Sequence, residues 1–140
     1  MMVRREWDDF DFKTQKGLKI EVKSAAYLQS WYQDKLSKII FDIAPTTGWC
    51  AETNTYSPEK KRRADIYIFC LLDHKDKQTV DPLNLNQWRF YLLETSVLNE
   101  KLKNQKKLSL PGLLKLSPLE CSFPQIKPAV ESFEKKYCHI

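Results

Sequence analysis

An uninterrupted apolar run, Ile66-Tyr67-Ile68-Phe69-Cys70-Leu71-Leu72, limits what this chain can fold into more than any other stretch. It is far shorter than the roughly 20 apolar residues of a membrane-crossing helix. Rich in β-branched and aromatic residues, and bounded by polar ones, it fits a strand that is apolar on both faces. Such a strand belongs in the middle of a sheet with cover on either side, so the run predicts a layered domain around a central sheet.

Other segments fill out that plan. Leu18 to Val22 alternates apolar and charged residues, as a half-buried strand does. Trp88 to Leu93 is aromatic-rich and reads as a further strand. Ala25, Leu28, Trp31 or Tyr32, Leu36 and Ile39 recur at three-to-four spacing, which predicts a helix over 25–40 with Ser24 as its N-cap. Pro45 to Pro58 reads as an irregular connection, Asp73 to Asn86 as a polar loop, and Pro128 to Tyr137 as a closing helix. The chain has 140 residues, three glycines and no fixed-period repeat, so a single domain over 1–140 is expected. The element order implies an α/β or α+β fold with a mixed sheet flanked by helices.

Burial then selects a register for the first hairpin. With Gln15-Lys16-Gly17 as the loop, glycine takes the position that needs positive φ, and cross-strand partners sum to 32 in residue number. Asp11 then faces Glu21, Asp9 faces Lys23, Phe12 faces Ile20 and Phe10 faces Val22. Every apolar side chain falls on one face and every charged one on the other. A two-residue loop would mix phenylalanine with glutamate and push apolar groups into water.

Two neighbouring carboxylates repel unless a cation neutralises them. Mg²⁺, or Mn²⁺ in its place, is the natural candidate, because Mg²⁺ prefers hard oxygen ligands and keeps waters that a substrate displaces. Lys23 would orient the attacking water or stabilise charge on a phosphate. The alternative is a solvated face of hairpin ion pairs. Glu-x-Lys also occurs at Glu59-Lys61 and Glu134-Lys136, and Asp73-His74-Lys75 follows the apolar strand, but only Glu21-Val22-Lys23 has a facing pair of aspartates.

Charge and cysteine usage narrow the chemistry. A net charge of +5 is compatible with a polyanionic partner. Lys60-Lys61-Arg62-Arg63 would track a nucleic-acid backbone, with a solvated charged loop as the plainer reading. Trp31, Trp49 and Trp88 are candidates for base stacking, or for packing at the core and its edges. Cys50, Cys70, Cys121 and Cys138 form no Cys-x-x-Cys pair, which gives a zinc cluster little support and points to reduced thiols. No Gly-rich phosphate loop and no charged-then-apolar leader stand in the sequence, and a cytoplasmic protein is expected.

Asp11 followed by Glu21-Val22-Lys23 resembles the PD-(D/E)xK nuclease superfamily, whose restriction-endonuclease-like core carries an Asp and a (D/E)xK on adjacent strands. The run Trp7-Asp8-Asp9-Phe10-Asp11 with Ile20 to Trp31, and then Arg63 to Phe69 and Gln87 to Leu92, is similar to an uncharacterised bacterial family within it. The resemblance implies a metal-dependent endonuclease acting on DNA, with Asp11 and Glu21 as metal ligands, Lys23 assisting, and Asp9 as the alternative to Asp11. Gln29, or Gln33 one turn later, would match the polar residue that some members carry on the helix after the lysine strand. No proline precedes the aspartate here. Superfamily cores usually begin with a helix, whereas this sequence begins at the strand. The N-terminal core helix is therefore expected to be absent, with a homodimer or another partner covering that face. A catalytically inactive DNA-binding or assembly module of the same fold is the alternative.

Overall fold

A computed structural model describes residues 2–3, 10–50 and 55–138. The apolar run forms β7 (Ile66–Leu72), inside a six-stranded mixed sheet. On one side β7 pairs in parallel with β3 (Lys19–Ala26), and on the other antiparallel with β8 (Trp88–Glu94). Beyond β3 lie the short strands β2 (Phe12–Lys13) and β1 (Met2–Val3), both antiparallel. β10 (Leu119–Cys121) closes the other edge against β8. The expected α/β architecture, a mixed sheet flanked by helices, is the observed one.

Alternation along β7 divides the core in two. Tyr67, Phe69 and Leu71 point into a cluster with Phe41, Ile43, Leu98, Leu108 and Leu113. Ile66 and Ile68 point the other way, into a cluster with Ile20, Phe90, Leu92 and Val130. The first face is covered by β4 (Ile40–Asp42), β9 (Lys107–Ser109), α1 (Thr95–Leu102) and α2 (Leu110–Leu114). The second is covered by α3 (Phe123–Tyr137), which presents Ile126, Ala129, Val130 and Phe133 at helical spacing. Burial of a phenylalanine such as Phe69 contributes about 2–3 kcal/mol.

Three segments differ from the sequence reading. The helix expected over 25–40 does not form. β3 runs on through Ala26, paired with Leu72, and residues 27–39 are irregular. The parallel ladder and the burial of Ala25 outweigh a weak local helical preference, and of the periodic stripe only its two ends, Ala25 and Ile39, join the first core cluster. Trp31 is 62% exposed and Tyr32 83% exposed.

Pro45 to Pro58 is likewise not an irregular connection. It holds most of a hairpin of β5 (Thr46–Cys50) and β6 (Thr55–Lys61). The register jumps between Thr47↔Lys60 and Gly48↔Ser57, and Pro58 falls within the jump, where no ladder N–H is needed. The closing helix starts at Phe123 rather than Pro128. Gln125 Oε1 accepts the Ser122 N–H at 2.9 Å, and a proline sits in the first turn. The helices α1 and α2 carried no periodic signal long enough to read.

Candidate active site

The β2–β3 hairpin has the register that burial selected. Phe12 pairs with Ile20 and Lys13 with Lys19, and Gly17 has φ of +97°. Thr14 closes the turn. Its N–H donates to the Leu18 carbonyl at 2.9 Å, its carbonyl accepts from Gly17 at 2.9 Å, and its hydroxyl accepts from the Leu18 N–H at 3.1 Å.

At Asp11 the ladder gives way to a side chain. The Asp11 N–H still donates to the Ile20 carbonyl at 3.0 Å, but Asp11 Oδ2 accepts the Val22 N–H at 2.8 Å. The carboxylate thus substitutes for a main-chain carbonyl and is held against the Glu21–Val22 peptide. The bend there overturns one expectation. Phe10 does not join Phe12 and Val22 but crosses to the opposite cluster.

Glu21 and Lys23 are half-buried and project from the same face of β3 as Ala25. Glu21 lies opposite Tyr67 in the parallel ladder, and Lys23 opposite Phe69. The Tyr67 phenol is pushed up to about 12, mainly by burial and then by the Glu21 charge; Asp42 and Asp11 add to this, and the Arg62 guanidinium opposes it. Three carboxylates therefore act on one hydroxyl. Asp42 is held below the usual carboxylate range by the Ala44 N–H, despite some desolvation, and by the charges of Lys107 and Lys23.

Asp11, Glu21 and Lys23 are thus brought together, and Asp42 and Tyr67 join them. Sequence reasoning missed both. Ile39, Phe41 and Ile43 are buried while Ile40 and Asp42 are exposed, a strand alternation that could have placed Asp42. Asp9 lies outside the described residues.

Gln29 is not on a helix. Its N–H donates to Gln33 Oε1 at 2.7 Å, and its own Nε2 donates to the Ala26 carbonyl at 3.0 Å, so it fastens the end of β3. Gln33 Nε2 donates to the Tyr27 carbonyl and the Ser37 hydroxyl.

The basic run separates by residue. Lys60 and Lys61 are exposed at the end of β6. Arg63 is half-buried and donates to the carbonyls of Thr46, Lys61 and Glu59. Arg62 is only 7% exposed and donates to the Ile43, Lys103 and Gln105 carbonyls and to Asn99 Oδ1. Its guanidinium is a structural clamp held by these four acceptors.

Among the described residues, no group of three or more His, Cys, Asp or Glu side chains is placed to hold a metal ion. Asp11 and Glu21 still suit a hard cation, because Mg²⁺ is commonly held by one or two carboxylates together with waters and substrate phosphates. No helix among these residues is long and apolar enough to cross a membrane.

Residues 2–110 match the family model described as bacteriophage T4 endonuclease IV. No curated protein matches the chain. No solved structure matches it either. The matched span includes the β2–β3 hairpin, β7 and β8, and stops before α3. On a match over most of its length, the chain belongs to the bacteriophage T4 endonuclease IV family.

Proposed function

We propose that this protein is a metal-dependent endonuclease that hydrolyses phosphodiester bonds in DNA, with a site of the PD-(D/E)xK kind. The supporting observation is the placement of Asp11 and Glu21-x-Lys23 on neighbouring segments of one hairpin, with Asp11 fastened to the Val22 N–H at 2.8 Å. Membership of a family named for an endonuclease agrees with it.

Asp11 and Glu21 would hold Mg²⁺ or Mn²⁺, which supplies Lewis-acid polarisation of the phosphate and a more acidic bound water. The Val22 N–H fixes one Asp11 oxygen and so orients the carboxylate beside Glu21. Tyr67, buried behind Glu21 and protonated at neutral pH, adds no charge of its own to the site. Lys23, on the same face as Glu21, donates to a phosphate oxygen as negative charge grows there, or orients the water that attacks. Lys60 and Lys61 lie exposed where a strand's phosphates would be attracted.

A second reading is a DNA-binding module that does not cut. It is favoured by the engagement of one Asp11 oxygen with backbone and by the absence of a third ligand among the described residues.

Plasmid nicking with Mg²⁺ or Mn²⁺ separates the two. Wild type should nick, and Glu21→Gln and Lys23→Ala should each lower the rate by about 10²–10³-fold, as loss of a charge-stabilising group does. Salt-dependent DNA binding without nicking under either metal would leave only the binding module.

A further inference from the structure

A cleft of about 500 Å³ opens where the start of β7, the end of β8 and the first turn of α1 meet. Its lining is basic. Lys19, Lys61, Arg62 and Arg63 reach it, against Asp65. Asp65 Oδ2 already accepts the Lys19 N–H at 2.9 Å. Glu94, at the N-cap of α1, is drawn aside by Lys136 at 2.8 Å and by the Tyr137 hydroxyl.

Two observations point to an anion. The N-cap Glu94 makes no side-chain bond to the eight-residue helix α1, so the amides of Ser96 and Val97 lack the usual capping acceptor. The Thr95 N–H, by contrast, donates to the Asp65 carbonyl at 3.1 Å. Independently, Thr95 is 5% exposed, lines this cleft, and its hydroxyl has no hydrogen-bond partner. Buried hydroxyls are rarely left so. A phosphate oxygen at the helix start would satisfy the hydroxyl and the amides together.

The cleft adjoins the Asp11–Glu21 site. Lys19 and Glu21 share a face of β3, about 6.6 Å apart along the strand. Phe10, next to Asp11, lines the cleft, and Lys19 Nζ stands 5.9 Å over its ring. We propose that this cleft binds a backbone phosphate of the DNA strand, neighbouring the phosphate that Asp11 and Glu21 would hold. The assignment rests on the endonuclease reading above and extends it to how the strand is seated.

The test uses the full chain without divalent metal, so that binding is read apart from cutting. The probes are inorganic phosphate and a short fluorescent DNA strand. Thr95→Val and Lys19→Gln are compared with wild type. Phosphate should raise the wild-type Tm and raise that of Thr95→Val less. Each variant should bind DNA about tenfold more weakly, as loss of a charge-assisted hydrogen bond predicts. Lys19→Gln should also flatten the plot of log affinity against log salt by about one. Without phosphate, Thr95→Val should melt no lower than wild type, which shows that it folds.

DNA affinity at the wild-type level in both variants would overturn the proposal. Loss of phosphate protection in Thr95→Val with unchanged DNA affinity would also overturn it, in favour of a free-phosphate site. Nicking is scored in parallel. If wild type does not nick but both variants lose DNA affinity, the endonuclease reading fails and the strand-binding cleft stands.

Discussion

Arg62 Nε donates to the Ile43 carbonyl at 2.7 Å, which joins the residue after β6 to the segment after β4. The same guanidinium reaches Asn99 at 2.9 Å and Gln105 at 2.8 Å, so one side chain ties β4, α1 and the loop before β9. Burial lowers its pKa, an effect that Tyr67 opposes, and leaves it charged at any working pH. Arg62→Ala should cost about 3 kcal/mol in urea unfolding, because it leaves several buried acceptors unpaired. Arg62→Lys should recover less than half of that, since an ammonium cannot reproduce the planar fork. Lys60→Ala, at an exposed position, should change stability by no more than about 0.5 kcal/mol.

Glu94 provides a pH response. Its carboxyl is held below the usual range by hydrogen bonds from Lys136 and Tyr137, against partial desolvation. A folded-state value below the unfolded one contributes stability that is present above the unfolded value and lost as pH falls through the folded one. The urea midpoint should therefore drop as pH is lowered below about 4.5. Glu94→Gln should lower the midpoint at pH 7 by about 1 kcal/mol equivalent and make the acid limb shallower.

Cys70 should be inert in the native protein. Burial pushes its thiol up to about 11, so almost no thiolate exists near neutrality. Burial also raises Cys121, with a further push from Glu120. At pH 8, iodoacetamide should label both sites only after denaturant is added, as read by peptide mass mapping.

Phe69 is fully buried at the centre of β7, with its ring 5.0 Å from that of Phe41 and 5.6 Å from that of Tyr67. Phe69→Ala should destabilise the protein by about 3–5 kcal/mol. Because Lys23 lies opposite Phe69 in the ladder, the same substitution should lower activity more than Lys60→Ala does. Chemical unfolding and nicking assays on the two variants check both parts.

Legibility in the sequence followed the strength of the burial signal. β7 could be read because seven apolar residues in a row leave few other folds open. The Phe12–Ile20 register could be read because slipping by one residue exposes every apolar group. Residues 25–40 misled because their apolar spacing matched a helix, while the competing parallel ladder to β7 is a long-range partner that no local window contains. Asp42 and Tyr67 were missed at the site for the same reason. Each reaches Glu21 or Lys23 only through the folded sheet. Arg62 was grouped with three other cations because a four-residue charge run does not reveal which member turns inward.

The β3–β7 ladder also sets an order of events during synthesis. Lys19 and Asp65, which begin it, are 46 residues apart in sequence. The strand carrying Glu21 and Lys23 leaves the ribosome first and waits with one edge unpaired until Ile66 to Leu72 has followed it. A nascent chain released before that point carries the motif without the neighbour that aligns it. Completion of that face is thus tied to translation of about half of the protein.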